Sequence, residues 1–198
     1  GSLAGLPRAG IVHRLDKNTS GLMVVARNLT AHKRLVEALQ ARTVKREYLT
    51  VVHSVLTAGG RIEAPIGRHA VDRKRMAVVA NGKEAVTHYR VEDRFRAHTL
   101  VRVQLETGRT HQIRVHMAYQ HFPVLGDPVY GGRLRLPKGA DDTFREVLSG
   151  FRRQALHATQ LGLSHPLSGG MMSWQVAVPD DMARLIEVLR QDARDHAG

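Results

Sequence analysis

Three stretches of the chain gather glycine, charge and hydroxyl groups more densely than a scaffold requires. The first, His13-Arg14-Leu15-Asp16-Lys17-Asn18-Thr19-Ser20-Gly21-Leu22, sets one carboxylate between two cations, on a turn that leads into an apolar run. Loops are where reactive groups concentrate. Only one carboxyl is present, whereas glycoside hydrolysis uses a pair in either stereochemical course. Asp16 could equally be a turn residue held by Lys17. The second stretch, Arg46-Glu47-Tyr48-Leu49, puts a tyrosine inside a strand. Its ring is either half-buried core or a π-face on which a base can stack, with a phenol able to touch a carboxylate. The third is Glu106-Thr107-Gly108-Arg109-Thr110-His111-Gln112-Ile113-Arg114-Val115-His116. Arg114 follows a helix start and points with Ile113 toward whatever that helix packs on. Buried, its guanidinium demands an anionic partner; exposed, it would hold a phosphate.

Other chemistries are excluded by type or spacing. The chain has no cysteine, so disulfides, thiolate zinc sites and cysteine nucleophiles are ruled out. His111, His116 and His121 recur at five residues, a rotation of about 140° around a helix and opposite faces of a strand. They are not placed to share a metal. HExxH, GxxxxGK[ST] and GxGxxG patterns are absent, which argues against metalloprotease, nucleotide-hydrolysing and dinucleotide redox chemistry. A metal-dependent nuclease would need a carboxylate cluster that the chain does not offer.

The charge balance points to a polyanion. Thirty Lys and Arg against eighteen Asp and Glu leave +12 over 198 residues, a field that attracts nucleic acid or an anionic surface. The excess is uneven: residues 27–46 hold six bases and one acid, while residues 180–198 hold five acids and three bases. The polyanion surface is therefore expected on the first two-thirds of the fold. No apolar run reaches the ~20 residues of a membrane-spanning helix. Gly1-Ser2 reads as a remnant of tag removal, with no signal peptide after it, so an excised part of a longer cytoplasmic chain is expected.

These segments need elements to position them. Residues 22–26 suit a buried strand. Thr30 can cap a helix to about residue 42, with Leu35, Val36 and Leu39 on one face. Strands are predicted over 46–54, 76–79, 85–91 and 99–107. The last alternates Val101, Val103 and Leu105 with Arg102, Gln104 and Glu106. Thr110 can cap a short helix carrying Ile113, Arg114 and Met117. Residues 123–140, rich in proline and glycine, read as an ordered loop. A helix over 142–148, strands near 156–163 and 171–178, and a helix after Pro179 with Met182, Leu185, Ile186 and Leu189 on one face complete the order. Neighbouring strands without a regular βαβ repeat predict an α+β domain with a mixed, mainly antiparallel central sheet and flanking helices.

The first stretch closely resembles the active-site signature of the RluA/RluD family of RNA pseudouridine synthases. Arg46-Glu47-Tyr48 resembles that family's tyrosine motif and Thr107-Gly108-Arg109-Thr110-His111-Gln112-Ile113-Arg114-Val115-His116 its arginine motif. Gly126-Asp127-Pro128-Val129-Tyr130-Gly131-Gly132 and Leu156-His157-Ala158 continue the match in order. The resemblance implies isomerisation of uridine to pseudouridine in ribosomal RNA. Asp16 would be the catalytic carboxylate, adding to C1′ or taking the 2′ proton while the detached uracil rotates in place. Since the base is never lost to water, a second carboxyl is not needed.

Tyr48 would stack on the uracil and Arg114 would pair with Asp16. Arg14 would enter the RNA stem as the target nucleotide leaves it, with His13 and Arg109 also on the RNA. Ile113 and Leu161 would be apolar walls. The implied protein has a cleft for an RNA stem-loop, uses no metal or other cofactor, does not bind membrane, and is expected as a monomer. Family members begin earlier, with a Lys-Pro-containing strand, and many carry an appended RNA-binding domain. Residues 1–198 are therefore expected to be one catalytic domain without those parts, with a sheet edge left unfilled. The other reading is an RNA-binding module that is inactive in truncated form.

Overall fold

A computed structural model describes residues 5–197; Gly1 and Ser2, with the remnant reading attached to them, lie outside the described residues. In chain order the elements are β1 (Ser20–Gly21), α1 (Leu29–Gln40), β2 (Lys45–His53), β3 (Gly60–Glu63), β4 (Ile66–Arg68), β5 (Met76–Val78), β6 (Val86–Arg94), β7 (His98–Leu105), α2 (Gln112–Tyr119), α3 (Asp142–Gly150), β8 (Leu156–Ser164), β9 (Met171–Gln175) and α4 (Asp180–Asp195). Seven strands make one sheet in the order β1-β8-β2-β7-β6-β3, with β9 also on β8, and β4 and β5 form a separate ribbon. Every pairing is antiparallel except β1 on β8. The fold is thus α+β with a mixed, mainly antiparallel sheet.

β2 and β7 sit at the centre because both of their faces are apolar where they cross. Val51, Val52, Val101 and Val103 are fully buried. Toward its end β7 alternates as the sequence suggests, with Leu105 buried and Gln104 exposed. α3 and α4 pack on the face that carries His53 and His98, joining Phe144 and Leu148 to Met182, Leu185 and Leu189 in the main core. On the other face α1 covers β8 through Ala31 and Leu35, which meet Val44, Leu161 and Leu163.

Several boundaries differ from expectation. Residues 22–26 are extended but do not form a regular strand. The Leu22 amide donates to the Ala158 carbonyl and the Ala26 amide to Gly10, while the Val24 amide donates to the His13 ring. The apolar run is therefore satisfied by three different partners instead of one ladder. α1 is capped by Asn28, whose side chain accepts the Ala31 amide at 2.8 Å, rather than by Thr30. α2 is not capped by Thr110: its N-cap is His111, in a left-handed conformation (φ 57°) with no side-chain cap. β3 and β4 are not among the predicted strands, and β9 ends at Gln175.

Candidate active site

The Asp16 turn is shaped by its own backbone and tied down at its end. The Thr19 amide donates to the Asp16 carbonyl at 2.9 Å, and Asn18 takes a left-handed conformation (φ 67°). The Gln154 side chain donates to the Lys17 carbonyl at 2.6 Å and to the Thr19 hydroxyl at 3.0 Å. Ser20 and Gly21 then dock in parallel on His157 and Ala158. Gly21 has φ +110°, and a Cβ on it would stand 2.2 Å from the Ala158 carbonyl oxygen. Only glycine permits that approach.

β2 supplies Tyr48, which is 6% exposed. The β2–β8 register shifts between Glu47 and Tyr48, so β8 carries one extra residue there. Such bulges re-aim side chains beside functional sites. Burial pushes the Tyr48 phenol above its ordinary pKa; Arg46 opposes this and Asp16 adds to it. Tyr48 therefore presents a neutral phenol at physiological pH.

α2 delivers Arg114, and the turn before it is locked by Gln112. The Gln112 Oε1 accepts the Arg109 amide at 2.9 Å and the Thr107 hydroxyl at 2.7 Å. Its Nε2 donates to the Val86 carbonyl and the Thr87 hydroxyl. The guanidinium of Arg114 then spans two carboxylates. Nε and Nη2 donate to Asp127 at 2.6 and 2.9 Å, and Nη1 donates to Asp16 at 3.3 Å. Burial works against the Arg114 charge, yet the bonds to Asp127 and Asp16 outweigh it and hold its pKa above the usual value. For Asp127 burial also acts upward, and Arg114 with the Val129 and Tyr130 amides reverses it, leaving the carboxyl below its usual range.

The Tyr130 ring lies 5.1 Å from the Arg114 guanidinium carbon, a cation–π contact. Its hydroxyl accepts the Met76 amide and bonds to His111 Nδ1 at 2.9 Å. Burial lowers the His111 pKa, opposed by Asp16 and aided by Arg114, so this ring is neutral.

A cavity of about 460 Å³ opens here, and its wall includes Asp16, Tyr48, Ile113, His13, Arg14 and Arg109. Arg114 reaches the site through its bond to Asp16. Leu161 does not reach it. That residue lies beyond the bulge, where α1 covers the sheet, and packs with Leu35 and Val44; Leu156 lines the cavity instead. His13 is half-buried on the wall, and its desolvation together with the Arg46 charge pulls its pKa down to about 4. Its role is thus that of a neutral donor or acceptor and not of a cation. Among the described residues no group of three or more His, Asp or Glu is placed to hold a metal ion. Sequence reasoning required one anion for Arg114, and the fold supplies two. Asp127, Tyr130 and Gln112 stand inside the matched motifs but carry no pattern that would announce their partners, which meet only in three dimensions.

A sheet of this topology, with Asp16 held by Arg114 and a buried Tyr48 on the same cavity wall, defines a class that comparison makes explicit. The family model described as RNA pseudouridylate synthase matches residues 2–119, and the chain belongs to that family. Among individual relatives, it is 58% identical over 196 residues to "Ribosomal large subunit pseudouridine synthase D" of Pseudomonas aeruginosa, covering 99% of this chain and 61% of that protein. It is likewise 58% identical over 194 residues to the protein of that name in Escherichia coli (strain K12), covering 98% of this chain and 60% of that one. The chain thus spans about three-fifths of the length of these curated relatives. The solved structure of Human RNA Pseudouridylate Synthase Domain Containing 4 superposes with a TM-score of 0.72 at 28% identity, over 91% of this chain and 75% of that one. Human RNA Pseudouridylate Synthase Domain Containing 1 shares the fold, with a TM-score of 0.69 at 24% identity, over 90% of this chain and 79% of that one.

Proposed function

We propose that this protein isomerises uridine to pseudouridine within large-subunit ribosomal RNA, with Asp16 as the catalytic carboxylate. The observation that carries the reading is Asp16, paired with Arg114, on the wall of a cavity that Tyr48 also lines. The names of its relatives supply the RNA class. The reaction breaks the N1–C1′ bond and forms a C5–C1′ bond, and the C5 proton is replaced at N1, so atoms balance without water or an oxidant. Asp16 acts at the ribose, by adding to C1′ or by taking the 2′ proton. Tyr48, a neutral phenol, stacks on the uracil while it turns, and Arg114 fixes the carboxylate. Arg14 fills the gap left in the RNA stem, offsetting part of the few kcal/mol that flipping costs. Ile113 supplies an apolar wall, and His13 and Arg109 contact the RNA. Residues 1–198 act as the catalytic domain, monomeric and cytoplasmic, on an RNA stem-loop without a cofactor.

The test is hydrogen release from C5 of tritiated uridine in large-subunit ribosomal RNA. Wild-type protein should release it, and Asp16→Asn should bind the same RNA while turnover falls by about a thousandfold or more. Substantial release by Asp16→Asn would overturn its role. RNA binding by the wild type with no release at all would instead identify a binding module.

A further inference from the structure

β2 turns a second side chain toward the cavity, two residues before Tyr48. Arg46 is only 6% exposed, and a guanidinium that deep is costly without an anion. Among the described residues it has none. Glu106 is taken by Arg42 and His88, Glu47 by Lys45 and Arg102, and Asp16 by Arg114. Arg46 Nη2 makes one long bond, 3.4 Å to the Glu106 carbonyl, and its Nε is buried with no acceptor. Burial accordingly lowers the Arg46 pKa, partly opposed by Tyr48. The guanidinium lies over Gly108, where a Cβ would come within 2.7 Å of Nη1. Both residues line the cavity, so this glycine keeps open the face on which the fork rests.

Resting on the function proposed above, we propose that Arg46 is a phosphate anchor: it holds the phosphodiester next to the nucleotide that enters the cavity. The chemistry selects a phosphate over a base edge. A uracil carbonyl is neutral and does not offset a buried cation, whereas a phosphodiester carries a permanent charge and two free oxygens that match the planar fork. The spacing also fits. Arg46 and Tyr48 are i and i+2 on one strand face, about 7 Å apart, comparable to the span from a stacked pyrimidine to its own phosphate. Neighbouring His13 adds a neutral donor. Its Nε2 accepts the Val24 amide at 3.0 Å, which leaves the ring proton on Nδ1. Arg46 is thus an anchoring residue that converts the cost of its own burial into affinity for a flipped nucleotide.

The probes are uridine, uridine 5′-monophosphate and uridine 3′-monophosphate, titrated into the protein with the arginine Nε–H signal of Arg46, assigned by Arg46→Lys, as the readout. At least one monophosphate should bind about tenfold tighter than uridine or better, and shift that signal. Arg46→Gln should bind all three equally, and Arg46→Lys should keep part of the preference. A preference retained in Arg46→Gln, no preference in the wild type, or a silent Arg46 signal would each overturn the anchor. Should Arg46→Gln fail to fold, the wild-type signal and Arg46→Lys still decide. Failure of the synthase reading has a different signature: monophosphates bind through Arg46, yet no C5 hydrogen is released from RNA.

Discussion

At the scale of single residues, the site turns on how Arg114 divides its donors. Two of its nitrogens go to Asp127, whose side chain is fully buried, and one goes to Asp16. Asp127 is itself fixed, since its Oδ1 also accepts the Val129 and Tyr130 amides. The strong partner therefore orients the guanidinium, and the longer bond, at 3.3 Å, is the one that holds Asp16. Asp127→Asn removes the main counter-charge of a buried arginine, which should cost about 3 kcal/mol of stability and lower turnover well beyond any loss of RNA affinity. Urea unfolding and C5-hydrogen release measure the two effects. A variant as stable and as active as wild type would mean that Asp16 alone suffices for Arg114. The roles proposed for Asp16, Tyr48 and Arg114 come from the motifs that resemble the family's; residue type and spacing alone left each of them an ordinary structural alternative. Asp127 was not legible, because an aspartate followed by proline looks like an ordinary turn until the guanidinium thirteen residues earlier is seen to reach it.

Among elements, the least regular one positions the carboxylate. β1 is two residues long, yet its parallel docking on β8 fixes the end of the Asp16 turn. Gly21 makes the approach possible. Gly21→Ala would drive a methyl into the Ala158 carbonyl and strain φ as well, so a loss of about 3 kcal/mol or more is expected, with turnover falling in parallel. Thermal unfolding checks the first and C5-hydrogen release the second; an unchanged midpoint would show that the turn is held by Gln154 alone. Long periodic elements were legible: α1, α4 and the alternating end of β7 follow from apolar spacing alone. Failures cluster where backbone groups find unexpected partners. Residues 22–26 are as apolar as a core strand, but the His13 ring takes one of their amides. The start of α2 is set by the buried Gln112 bridge and a left-handed His111, neither of which has a signature in local propensity.

For the whole molecule, charge and burial act against each other. The field of +12 should draw RNA by counterion release, so log affinity should fall steeply and linearly with log salt; a flat response in a filter-binding series would remove the cationic cleft from the account. Burial meanwhile strips protons from histidines. His53 and His98 face each other across β2 and β7 with rings 5.1 Å apart. Neither nitrogen of His98, nor Nδ1 of His53, has a hydrogen-bond partner among the described residues. Burial, with Arg135 nearby, depresses His53 to about 4; burial, His53 and Arg135 depress His98 to about 3. In the unfolded chain both titrate near 6.5. Between these values the unfolded chain binds more protons, so the stability they contribute is complete above about pH 6.5 and is lost as pH falls toward 4. Each should withdraw about 2 kcal/mol between pH 7 and pH 5, a large share of a domain's usual margin. Urea midpoints at the two pH values measure the loss. His98→Phe, which keeps a ring beside Phe144 but cannot take a proton, should show a drop smaller than the wild type's by about 2 kcal/mol, the remainder coming from His53 and from His13, which burial holds at about 4. An equal drop in that variant would place the acid sensitivity elsewhere in the fold.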